Sequence, residues 1–171
     1  MRQMEHAIEI PDNVQAMNGC FVDGRHYFAV RIYFEDTDFS GIVYHANYLR
    51  YMERARSDML RLLGMDQNKA FDSGEGVYAV ANLAIKYHLP AKLDDDLIVV
   101  STVEKMRAAS VIIDQTIMRR GSDQNPEIIT SANIQVAFLN PQGRPHGHPK
   151  AWTETLNKVM TAAQDAENQE D

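Results

Sequence analysis

The sequence predicts an α+β fold in which an antiparallel five-stranded sheet wraps around one long central helix. Three observations predict it. The apolar periodicities run in the order strand, helix, then four strands. The breaks between those later strands are too short for parallel crossovers, so antiparallel hairpins are expected. The helix carries a stripe of large apolar side chains that has to be covered, and a curved sheet is the economical cover.

Taken in order, residues 1–24 are polar, lack a clear period and are broken by Pro11, Asn13, Asn18, Gly19, Asp23 and Gly24. They read as a loosely ordered arm. His26 to Phe34 is rich in β-branched and aromatic residues and reads as the first strand. Residues 47–63 place Tyr48, Tyr51, Met52, Ala55, Met59, Leu62 and Leu63 at helical offsets, with Arg50, Arg54, Asp58 and Arg61 off the stripe. Asn47 is the expected N-cap and Gly64 the C-terminal stop. A Gly-rich loop over 72–76 follows. Val77 to Leu89, Leu97 to Met106, Ala109 to Arg119 and Ile128 to Leu139 read as strands, separated by Pro90, Arg107-Ala108 and the 121–126 turn. Pro149 to Met160 suggests a short helix. The stretch after it is acidic and poor in large apolar groups, so 161–171 is expected to fray. One domain over 25–160 results.

The 171 residues suit a single domain, and 44% hydrophobic with 24% charged is ordinary for a globular chain. A net charge of −7 argues against a nucleic-acid partner. The single cysteine, Cys20, forbids an internal disulfide and suits a reducing compartment. No basic-then-apolar leader and no apolar run of membrane length is seen, so a cytoplasmic location without membrane insertion is expected.

The chemistry concentrates between 35 and 54. The first strand runs into an acidic turn, Glu35-Asp36-Thr37-Asp38, then Gly41, then His45 at the start of the helix. Acidic turns are commonly just solvated, because Asp and Thr bond their own backbone. Here, however, the turn puts carboxylates close to a helix N-terminus, whose unpaired N–H groups and partial positive charge polarise a carbonyl oxygen. A base or nucleophile beside an oxyanion site is what acyl transfer requires. Asp36, Asp38 and Glu53 all remain candidate acids on these features. Glu53 has an ordinary reading as a surface ion pair with Arg50 or Arg56, and His45 as a structural or capping residue.

Lys105, Arg107, Arg119 and Arg120 fall at the ends of adjacent strands, with Ser110 nearby. They are either an ordinary solvated hairpin or a phosphate site for a carrier such as coenzyme A. His146-Gly147-His148 sits among Gly and Pro without a Cys or carboxylate at ligand spacing, so no metal is expected. No nucleophile elbow, phosphate-binding Gly loop or dinucleotide fingerprint is present. No cofactor is expected.

Residues Tyr33 to Tyr48, with Glu53-Arg54-Ala55-Arg56 after them, closely resemble the hot-dog-fold acyl-CoA thioesterases of the 4-hydroxybenzoyl-CoA thioesterase family. The likeness is greatest to the bacterial group encoded beside the Tol-Pal envelope system. It continues through Tyr87 to Asp95 and Met106 to Ser110, and spans roughly 26–158. The resemblance implies a hot-dog fold and an acyl-CoA substrate. It also implies a homodimer with sites at the subunit interface, usually assembled into a homotetramer. The family's catalytic carboxylate falls on Asp38, its carbonyl-polarising backbone N–H on His45, and the Gly of the motif on Gly41. Tyr33, Asn47 and Glu53 stand second. Lys105, Arg107 and Ser110 are then the candidates for coenzyme A, and Tyr48, Met52, Val77 and Tyr78 for the acyl pocket. Two further readings compete: a non-catalytic acyl-carrier or envelope-lipid interaction module that retains an old site, and a hot-dog hydroxyacyl dehydratase pairing a His with a carboxylate; an acyl carrier protein is a further candidate partner.

Overall fold

In the computed structural model the described residues are 13, 15–121 and 125–170. The expectations placed on 1–12, 14, 122–124 and 171 lie outside them. The elements are Cys20–Val22 (β1), Arg25–Arg31 (β2), Asn47–Leu62 (α1), Gln67–Asp72 (α2), Val77–Tyr87 (β3), Asp96–Met106 (β4), Ser110–Arg120 (β5), Pro126–Leu139 (β6) and Lys150–Glu170 (α3). The strands form one antiparallel sheet in the order β1-β2-β4-β5-β6-β3, leaving β1 and β3 at its edges.

Alternation along β4 and β5 sends Leu97, Val99, Val103, Val111, Ile113 and Ile117 to one face, where they meet Tyr51, Met52, Ala55 and Met59 of α1. Register shifts at Val80/Asn82, Val103/Lys105 and Ile117/Met118 bend the strands. Such bulges add the curvature a sheet needs to wrap a helix. The expected wrapped-helix arrangement is therefore present. A buried polar tie secures it: Gln115 donates to the Met52 carbonyl and the Ser101 hydroxyl, and Arg56 donates to Gln115 at 2.7 Å.

Four local expectations need correction. The sheet has six strands, because Cys20–Val22 within the expected arm pairs with Arg25–Tyr27 through a turn at Asp23-Gly24. The first long strand stops at Arg31, and Phe34–Asp36 forms a 3₁₀ turn in which the Asp36 carboxylate accepts the Tyr33 N–H. The short α2 was not anticipated; its start is capped by Asp66, which accepts the Lys69 N–H. Finally, the acidic tail continues α3 as far as Glu170. Its apolar side is used: Leu156 and Ala163 are buried, and Glu167 pairs with Arg25 at 3.1 Å. Gly24 lies flush against this helix, where a Cβ would fall 2.4 Å from both the Val159 carbonyl and the Ala163 nitrogen.

Candidate active site

The loop from the acidic turn to α1 is fixed by its own backbone. The Asp38 N–H donates to the Ile42 carbonyl at 2.9 Å and the Gly41 N–H to the Asp38 carbonyl at 3.0 Å. Thr37 and Val43 form a bridge. Gly41 sits at φ +76°, a left-handed conformation that glycine adopts at least cost. The chain thereby doubles back, and the Asp36 carbonyl accepts both the Tyr44 N–H and the Asn47 side-chain amide at 2.9 Å. Asn47 is thus the first residue of α1 rather than its cap; Ala46 occupies the cap position without a side-chain bond. The amide of Asn47 instead ties the helix entrance to the acidic turn.

This closure leaves His45 close enough to Asp38 to act on its charge. The Asp38 carboxylate is exposed and accepts both the N–H and the O–H of Ser40. Those two bonds, and then the nearby His45, hold its pKa below the usual value. Hydrogen bonds to the charged form have that sign, so Asp38 is an ionised, accessible carboxylate at neutral pH. The His45 ring packs against Tyr44 with centroids 4.4 Å apart. Its backbone carbonyl accepts the Tyr87 hydroxyl at 3.2 Å. Tyr87 was not singled out from sequence as a site residue. It stands at the end of β3, and its ring also meets Tyr48 at 5.8 Å, so it clamps the helix entrance to the sheet edge. Tyr48 in turn accepts the Ala91 N–H, fixing the chain beyond β3.

The other candidates separate. Asp36 spends its carboxylate on the Tyr33 N–H, and Tyr33 itself is exposed. Glu53 lies along α1 and pairs with Arg56, the ion pair expected of its ordinary reading. Among the acyl-pocket candidates, Tyr48 and Met52 are buried in the core and Val77 is exposed on the edge strand. Only Tyr78 lines the apolar cleft that opens between α1, β3, β5, β6 and α3, where it faces Glu53, Arg56, Ser57, Met59 and Leu156.

The basic cluster divides in two. Lys105 and Arg107 are exposed at the β4–β5 turn, but Arg119 and Arg120 are at the far end of β5, about 30 Å away at the usual rise per residue. Arg119 is occupied by Asp95 at 2.6 Å and Glu127 at 2.8 Å. Ser110 is buried, its hydroxyl taken by the Gln135 amide. His146 is exposed and His148 is bonded to Tyr78. Among the described residues, no group of three or more His, Cys, Asp or Glu is placed to hold a metal, and no helix is long and apolar enough to cross a membrane.

A long helix wrapped by an antiparallel sheet, entered through a carboxylate-bearing loop, defines a protein of the hot-dog class. Residues 40–126 match the family model described as the thioesterase superfamily. The acyl-CoA thioesterase YbgC of Haemophilus influenzae is 38% identical over 119 residues, covering 70% of this chain and 84% of that protein. The Helicobacter pylori protein of the same name is 33% identical, covering 75% and 98%. Among solved structures, a Bartonella henselae protein described as a probable thioesterase aligns with TM-score 0.67 and 31% identity, covering 73% and 99%. The 4-hydroxybenzoyl CoA thioesterase of Pseudomonas sp. strain CBS-3 aligns with TM-score 0.69 at 20% identity, covering 77% and 98%, a likeness of fold. The chain belongs to the thioesterase superfamily.

Proposed function

We propose that this protein hydrolyses acyl-CoA thioesters to free acid and coenzyme A, with Asp38 and the N-terminus of α1 as the reacting centre. The observation that carries the reading is the loop closure from Asp36 to Asn47, which sets an ionised Asp38 beside His45 at the helix entrance. The named relatives, acyl-CoA thioesterases, support the substrate class.

The thioester carbonyl oxygen points at the start of α1, where the His45 N–H donates to it and the helix dipole stabilises the charge that develops. Asp38 then acts in one of two ways. As general base it takes a proton from water while the water oxygen attacks the carbonyl carbon. As nucleophile it attacks that carbon itself, forming a mixed anhydride that water later opens. In either route the C–S bond breaks and coenzyme A leaves as a thiolate. Gly41 shapes the turn that carries Asp38. Lys105 and Arg107, exposed on the β4–β5 turn, contact the phosphates of coenzyme A, and Tyr78 walls the acyl cleft.

The catalytic unit is residues 25–160, acting in the cytoplasm as a homodimer or homotetramer, in the group encoded beside the Tol-Pal envelope system. An acyl carrier protein is an alternative thiol donor. The eleven residues of β3 leave one edge of the sheet open, which supports assembly through that strand. The test is thiol release across short, long and aromatic acyl-CoAs. Hydrolysis of at least one, without formation of an enoyl product, is expected. No release from any of them, or an enoyl product instead, overturns the reading.

A further inference from the structure

His148, set aside by the sequence as half of an incomplete metal pair, touches the regions assigned to both ends of an acyl-CoA. Its Nε2 lies 3.1 Å from the Arg107 carbonyl oxygen and its Nδ1 2.9 Å from the Tyr78 hydroxyl. A carbonyl only accepts, so Nε2 carries the proton, Nδ1 presents its lone pair, and Tyr78 donates to it. Burial holds the His148 pKa below its ordinary value and pushes the Tyr78 phenol up, so both groups stay neutral and the bond directions hold.

The imidazole is also packed in place. Its centroid is 5.6 Å from Tyr78 and 5.8 Å from Phe138, and Trp152 stacks on Tyr78 at 5.9 Å. The backbone continues the brace. His146 N–H donates to the Phe138 carbonyl, Phe138 N–H to the Ala109 carbonyl, and Arg107 N–H to the Ser110 carbonyl. The β4–β5 turn, the end of β6 and the 146–148 loop are thus one hydrogen-bonded piece, with the imidazole joining it to the wall of the acyl cleft.

We propose that His148 is a positioning residue that holds the β4–β5 turn in register with the acyl cleft, and so sets affinity for the nucleotide end of the substrate. This rests on the reading of Lys105 and Arg107 as phosphate contacts. The test compares an acyl-CoA with the matching acyl-pantetheine, which lacks the nucleotide phosphates. His148→Phe removes both hydrogen bonds and keeps an aromatic ring. It is expected to raise KM for the acyl-CoA roughly threefold to tenfold, the range of one or two net hydrogen bonds. The kcat values and the acyl-pantetheine kinetics stay within about twofold. His148→Gln, whose amide still reaches the Arg107 carbonyl, recovers most of the loss; where Phe does not fold, His148→Ala replaces it.

A KM that rises equally for both substrates, falls to kcat instead, or does not move, overturns the proposal. The double variant Lys105→Ala/Arg107→Ala separates the two readings. If it leaves the acyl-CoA KM unchanged, the phosphate assignment fails, whatever His148 does. If it raises that KM while His148→Phe does not, the brace alone fails.

Discussion

Replacing Asp58 by Ala isolates the part of the structure that holds the chain together away from the chemistry. Asp58 is buried on α1, and one carboxylate oxygen accepts His26 Nε2 at 2.8 Å and the Gly19 N–H at 2.9 Å. The three groups are so close that a Cβ at Gly19 would lie 2.7 Å from His26 Nε2 and 2.8 Å from that oxygen. Asp58→Ala strands the buried His26 donor and the half-buried Gly19 N–H, each worth roughly 1–3 kcal/mol when left without an acceptor. The two together come to about 3–5 kcal/mol. At about 2–4 °C per kcal/mol for a chain of this size, the melting temperature should fall by about 6–20 °C. Asp58→Asn keeps one acceptor oxygen and should lose about half as much.

The pH dependence has a definite sign. The other ring nitrogen of His26, Nδ1, is buried without a hydrogen-bond partner, and burial lowers the His26 pKa below 6.5. Protonation would put a second N–H where nothing accepts it. A lowered histidine pKa means the native state prefers the neutral ring, so this contribution is complete above about pH 6.5. It is lost as pH falls from there through the lower folded value. Calorimetric melts of wild type and His26→Leu between pH 8 and 5 should converge toward the acid end. Asp58 lies 13 residues beyond His45, about 20 Å at 1.5 Å per residue, so Asp58→Ala should keep its kcat well below its melting point. A melting temperature within 2 °C of wild type for Asp58→Ala would refute the reasoning.

Three further outcomes are expected. Gly41→Ala meets no atom within 4 Å, so its cost is the left-handed backbone alone, about 1 kcal/mol; kcat should drop while the melt moves only a few degrees. Tyr87→Phe removes the hydroxyl that holds the His45 carbonyl and should lower kcat about twofold to tenfold with KM unchanged, read in steady-state assays. Because Ser40 and His45 hold Asp38 below its ordinary pKa of 3.8, its ionised form persists as pH falls past that value. A kcat profile of wild type should therefore show no acid limb from Asp38 above pH 4.

What the sequence made legible were features whose cause is local. The helical stripe from Tyr48 to Met59, the β-branched strands and the acidic turn each follow from neighbouring residues, and each lies where it was expected apart from the early end of β2 at Arg31. The motif from Tyr33 to Tyr48 also carried the choice among three carboxylates. What escaped depends on distant partners. Cys20–Val22 becomes a strand only because β2 lies beside it, and residues 161–170 stay helical because Gly24 and Arg25 pack against them. Arg107 and Arg119 looked like neighbours because both sit near strand ends, but Arg107 lies in the turn before β5 and Arg119 at the far end of that strand. Tyr87 carried no local signal beyond an aromatic at a strand end, and its reach to His45 spans 42 positions.

The most direct test of the central claim sets Asp38→Asn against Glu53→Gln in single-turnover hydrolysis of the best acyl-CoA, with melts recorded for both. Loss of a positioned base should slow Asp38→Asn by about 10²–10⁴ without a change in melting temperature. Glu53, exposed and paired with the buried Arg56, should leave the rate within a few-fold of wild type. An active Asp38→Asn beside an inactive Glu53→Gln would contradict the account and move the chemistry from the acidic turn into the helix.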